Sequence, residues 1–162
     1  MRVVRESPDI YTYGSVFTCM TRDGNHGGAH SLLKKMVTDA NKTIEYRVKF
    51  GDDFDEASAA VFPNYVCFEQ ALWAFQTEPN EQTRQNITLW ALTETLHFCS
   101  DYFTENPDGL LPHLIASMRS LPSKGAGTLL LNFLEKSEEE GLLPASMEMG
   151  LDLPIMVMRA CR

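Results

Sequence analysis

Apolar residues recur along this chain mostly three and four positions apart, the spacing that gathers side chains on one face of an α-helix. From about Ala29, Leu32, Leu33, Met36 and Ala40 form such a face, and the polar pair Asn41-Lys42 predicts a break before Ile44. Phe50, Phe54, Ala57 and Val61 then fall at i, i+4, i+7 and i+11. The acidic octapeptide "GDDFDEAS" (51–58) is therefore expected on an amphipathic helix, with Asp52, Asp53, Asp55 and Glu56 on its solvated side. After Pro63 a second stripe runs through Phe68, Ala71, Leu72 and Phe75, and "QTEPNEQT" ends it.

Residues Asn86 to Phe103 carry Ile87, Leu89, Trp90, Ala91, Leu92, Leu96, Phe98, Cys99, Tyr102 and Phe103, too many for one stripe. A helix apolar on most sides belongs at the centre of a bundle. Downstream, an Asp/Gly turn and Pro112 introduce another helix, and "SKGAGTLLLNFLEKSEEEG" predicts a further one ended by Gly141. Asp9 to Met20 is ambiguous, because the aromatic and β-branched residues of "IYTYGSVFTCM" suit a strand as well as a helix. The expected fold class is an all-α bundle of about seven helices around the central apolar segment 86–103.

At 162 residues with 44% apolar content, the chain fits a single domain spanning 1–162. Its 14 basic and 22 acidic residues give a net charge of −8, which argues against nucleic acid and anionic membranes as partners. The C-terminal "LDLPIMVMRACR" falls short of the ~20 apolar residues needed to span a bilayer, so no transmembrane anchor and at most peripheral membrane contact are expected. Cys19, Cys67, Cys99 and Cys161 have no framework spacing, and "MRVVRESPDIY" lacks a signal-peptide core, which together suggest a reducing, intracellular setting.

Cys19, His26 and His30 read C-x6-H-x3-H, the one pattern with metal-ligand character. Gly27 and Gly28 argue against a helix there and no fourth ligand is assigned, so loop histidines are preferred and no metal or cofactor is expected. Cys99 with His97 or His113 offers the elements of a nucleophile and base, but it sits in the most apolar segment, where thiols are inert.

Three stretches resemble, in order, the homology segments of the Bcl-2 family of apoptosis regulators: "FGDDFDEASAAVF" the third segment, "FEQALWAF" the start of the first, and "GAGTLLLNFL" the second. The likeness covers about Phe50 to Leu134, and its strength lies in the order of the motifs. Arg47 stands where the third segment has leucine, the first motif reads Glu81-Gln82-Thr83-Arg84, and the second reads Ala126-Gly127. A second alignment sets Asn86 at the motif asparagine and puts Leu89 in place of the arginine.

The resemblance implies a non-enzymatic pro-survival protein whose hydrophobic groove captures the amphipathic death helix of a pro-apoptotic relative, Bim-like or Bak/Bax-like. It implies a groove formed by Phe54, Ser58, Val61, Phe62, Phe68, Ala71, Leu72, Phe75, Arg84 and Ile87, with Arg84 pairing a ligand aspartate. It further implies a small Gly51 at a close helix approach. The economy of the chain is similar to virus-encoded members acting in the host cytoplasm or at the mitochondrial surface, and homodimerisation is left open. Taken singly, each of the apolar groove residues reads as core. The alternative is a helical viral host-interaction or metal-binding protein unrelated to apoptosis.

Overall fold

The computed structural model describes residues 8–122, 124–143 and 157–158, and these are all helix, turn and loop, with no strand among them. Among the described residues seven α-helices have defined bounds: α1 (Ile10–Arg22), α2 (His26–Phe50), α3 (Tyr65–Phe75), α4 (Glu81–Phe98), α5 (Ser100–Glu105), α6 (Leu111–Ser120) and α7 (Ala126–Glu139). Short 3-10 turns occupy Gly51–Asp53, Glu56–Ser58 and Pro107–Leu110.

One local device starts four of the helices. Asp9, Asn25, Asn64 and Asn80 each place a side-chain oxygen on the backbone N–H three residues later, at Thr12, Gly28, Cys67 and Thr83, over 2.8 to 3.1 Å. Each bond satisfies a donor that the first turn of a helix leaves unpaired. This cap resolves the ambiguity of residues 9–20 in favour of helix, against the aromatic and β-branched composition. It also starts α2 at His26, ahead of the expected Ala29, so His26 and His30 lie on a helix and not in a loop. A Cβ at Gly28 would lie 2.6 Å from the Asn25 amide, so the glycine that weakens the helix by propensity is what lets the cap close.

Four other boundaries depart from the expected ones. No break occurs at Asn41-Lys42, since α2 continues to Phe50. The helix expected over 50–61 is absent: Gly51 turns to φ 53°, Phe54 is extended, and the Asp55 carboxylate accepts the Ala57 N–H. Acidic side chains that bond their own backbone compete with helix, and the positive φ of Gly51 has already ended α2. The expected 86–103 helix starts earlier, at Glu81, and is divided at Cys99. The central place falls to α3, which packs against α1, α2, α4 and α6.

The core gathers Phe17, Leu33, Phe68, Leu72, Phe75, Leu92, Leu96, Phe103, Leu110, Leu114, Leu130 and Leu134, all 1% exposed or less. Gly141, at φ 69°, follows α7 as the sequence predicts. Most of the C-terminal apolar stretch, 144–156 and 159–162, lies outside the described residues, although Val157 is buried against the core.

Candidate functional site

The last turns of α2 carry apolar side chains into solvent. Tyr46 is 50% exposed, Val48 82% and Phe50 48%, while Thr43 just before them is buried. Thr43 anchors the far end of the acidic stretch to this helix. Its hydroxyl donates to Asp39 O at 3.1 Å and accepts from Ala60 N–H at 3.0 Å, tying the segment after the octapeptide back to α2. Between these ties residues 51–58 fold as two 3-10 turns around Phe54.

Arg47 organises the inner side of this tip. Its guanidinium donates to both carboxylate oxygens of Glu56, at 3.0 and 2.6 Å, and lies 5.7 Å from the Phe54 ring centre and 5.4 Å from that of Phe62. A planar cation between two aromatic faces gains quadrupole attraction while its fork engages a carboxylate. Hydrogen bonding to Arg47 lowers the Glu56 carboxyl below its ordinary range. Phe62 in turn meets the Phe98 ring edge-on at 6.1 Å, which couples the tip to α4. On the outer side, Tyr46, Phe50, Asp53, Phe54, Asp55 and Ser58 line an open cleft of about 270 Å³.

The ten groove residues do not form one slot. Phe68, Ala71, Leu72 and Phe75 are wholly buried in α3, and Ile87 is 7% exposed. Phe54, Val61 and Phe62 are half-buried and Ser58 is exposed; Phe54 and Ser58 line the tip cleft, whereas Val61 lies beside Tyr13, Leu32 and Met36 farther back along α2. Arg84 is spent inside the molecule: Nε donates to Ser120 O at 2.7 Å and one Nη to Glu78 O at 2.6 Å, joining α4 to the end of α6 and to the α3–α4 turn. Tyr46, Phe50 and Asp53 are not among the residues that the resemblance implies, although Tyr46, Phe50 and Phe54 recur every fourth residue.

Gly51 is not at a helix contact. A Cβ there would meet nothing within 4 Å, and the need for glycine comes from φ 53°.

The histidines and cysteines are also placed. His26 Nε2 lies 3.1 Å from Glu78 and its Nδ1 3.2 Å from Thr77 Oγ1, while His30 turns its ring edge-on to Phe75 and Trp90. Among the described residues, no three of His, Cys, Asp and Glu come together in a way that would hold a metal ion. Burial pushes the Cys99 thiol up to about 12, so it stays protonated at neutral pH.

His113 is buried between α3 and α6, with Nδ1 3.1 Å from Gly109 O and Nε2 2.9 Å from Tyr65 O. Burial lowers its pKa against the pull of those carbonyls, and a neutral ring donates to only one of them.

Comparison of the chain with protein-family models, with curated proteins and with solved structures returned no match.

Proposed function

We propose that this protein is a helical binding protein of the pro-survival kind, which sequesters the amphipathic death helix of a pro-apoptotic relative and performs no chemistry of its own. The observation that carries the reading is the position of Phe54 and Ser58. Both lie in the stretch that resembles the third Bcl-2 homology segment, and both open onto the aromatic cleft at the end of α2. An amphipathic helix presents apolar anchors at i, i+3 or i+4, and i+7, and exposed rings are what such anchors require. The inert Cys99 thiol supports binding over nucleophilic catalysis at that cysteine.

In this reading the apolar anchors do the binding. Arg84 already serves two backbone carbonyls, so recognition of a ligand aspartate by it would cost those bonds. The arrangement favours the alignment with Leu89 at the motif position. The virus-encoded origin, the host cytoplasm or mitochondrial surface as its location, and a Bcl-2-like arrangement of the helices belong to the same proposal.

Calorimetry against a panel of Bim-like and Bak/Bax-like helices tests it. At least one should bind, Phe54→Ala should weaken that complex roughly tenfold, and changing the peptide's aspartate to alanine should cost the same in the parent and in Arg84→Ala. No binding to any member at protein concentrations of tens of micromolar, on the order expected for weak complexes, would end the reading. A helical host-interaction protein unrelated to apoptosis would give that negative result.

A further inference from the structure

Around the outer cleft the chain leaves two kinds of group open to solvent. One is aromatic: Tyr46 and Phe50, with ring centres 6.1 Å apart, stand about half exposed beside Phe54. The other is acidic. Asp53 and Asp55 line the cleft, Asp52 adjoins it, and all three side chains belong to exposed residues. Arg47 is committed to Glu56, and Asp55 spends one oxygen on the Ala57 N–H. Over residues 42–58 the sequence carries five carboxylates, Glu45, Asp52, Asp53, Asp55 and Glu56, against three cations, Lys42, Arg47 and Lys49.

We infer that this cleft takes a cationic side chain, arginine or lysine, presented beside apolar residues on a basic amphipathic partner segment. Charge complementarity selects that occupant. A purely apolar segment would bury the Asp53 carboxylate and the second oxygen of Asp55 without a partner, which is unfavourable, and an acidic one would meet them directly. An arginine satisfies both surfaces at once, stacking its plane on Tyr46 or Phe50 while donating to Asp53.

The chain already displays this chemistry. Arg47 lies against Phe54 and Phe62 with Glu56 at its fork, and Lys49 Nζ lies 5.2 Å from the Phe50 ring centre. Arg47 with Glu56 shows on the inner side the pairing that the outer cleft offers to a partner.

The charge of the occupant stands or falls apart from the death-helix reading. Its probe is a capped, alanine-based helix carrying one arginine with leucines three and four residues away, and a twin with citrulline, a neutral isostere, in place of arginine. Titrated into ¹⁵N-labelled protein, the arginine peptide should shift amide resonances within 46–58 and bind roughly tenfold more tightly than the citrulline twin. Asp53→Asn and Phe50→Ala should each weaken it roughly fivefold, with native spectra elsewhere.

Equal affinity for the two peptides would overturn the inference, as would shifts centred outside 46–58 or no binding up to about millimolar peptide. Sedimentation of the free protein supplies the competing occupant: concentration-dependent dimers abolished by Phe50→Ala would assign the cleft to a second copy of the chain. Failure of every death helix together with citrulline-sensitive binding of the probe would remove the death-helix reading and leave this one.

Discussion

Phe75 on α3 and Phe50 at the end of α2 are the same side chain in opposite settings. Phe75 is wholly buried, meets the His30 ring edge-on, and belongs to a helix with neighbours on several sides. Phe50 is 48% exposed, ends its helix, and touches the Tyr46 ring and the Lys49 ammonium. The polar groups differ in the same way. Near α3 the Ser120 hydroxyl donates to Leu72 O, His113 faces two carbonyls and Arg84 serves two more, so hydrogen bonding there is internal. At the tip, aromatic faces and carboxylates remain open to solvent. An interior stabilises by excluding water from matched groups, whereas a binding surface must keep part of its interaction capacity unused until a partner arrives.

Paired truncations would break the contrast most directly. Leu72→Ala should lower unfolding stability by about 3–5 kcal/mol, because a fully buried leucine leaves a cavity that a helix packed on several sides cannot collapse. Phe50→Ala should change it by less than about 1 kcal/mol. Urea denaturation midpoints at constant m-value check both, and equal losses would show that the tip is part of the core.

His113→Gln should cost about 2 kcal/mol through lost packing and a lost carbonyl contact, and should also change the pH profile. Burial lowers the folded pKa of His113 below the ordinary value near 6.5. The unfolded chain therefore binds more protons below that value. The stability contribution is fully present above about pH 6.5 and declines as pH falls toward the folded pKa. Stability curves between about pH 7.5 and 5 should be steeper for the parent than for His113→Gln, and parallel curves would place the acid sensitivity elsewhere.

Arg84→Ala should destabilise by about 1–2 kcal/mol, since it frees the carbonyls of Ser120 and Glu78 at a partly solvated site. Amide exchange should quicken at the start of α4 and the end of α6. An unchanged midpoint would free Arg84 for a ligand and reopen its pairing with a partner aspartate.

Gly51→Glu should have a smaller effect than Arg84→Ala. Gly51→Glu should cost on the order of 1 kcal/mol from the left-handed φ of 53° alone, because no neighbouring atom lies within 4 Å of a Cβ there. Gly51→Ala should cost about as much as Gly51→Glu in thermal melts, since the strain comes from any Cβ at φ 53°, ψ −126° and not from the size of the side chain. A much larger loss for Gly51→Glu than for Gly51→Ala would indicate crowding and not backbone strain.

Much of the helical content was legible because its causes are local. The stripe Phe68, Ala71, Leu72 and Phe75 lies on α3 as the spacing predicts, Pro112 stands in the first turn of α6, and Gly141 follows α7. The failures came where two local signals competed. Over 50–61 the apolar spacing favoured a helix, but the Asp55 carboxylate bonded the nearby backbone and Gly51 had reversed the chain. At 26–30 the glycines argued against a helix, while the Asn25 cap needed one of them. The candidate site was harder to read still, because a phenylalanine in an apolar stripe looks the same whether its stripe becomes core, as at Phe75, or surface, as at Phe54.

By itself the sequence determined that the described residues are helical and that carboxylates cluster at 52–56, because periodicity and charge act among residues a turn apart. Only the tertiary structure decided that α3 takes the centre in place of 86–103, that Arg84 faces inward, and that Tyr46, Phe50 and Phe54 meet around an acidic cleft. Those outcomes depend on which helices compete for the same apolar surface. The tie from Thr43 to Ala60 and the bond from Arg84 to Ser120 join residues 17 and 36 positions apart, a range over which no local pattern acts.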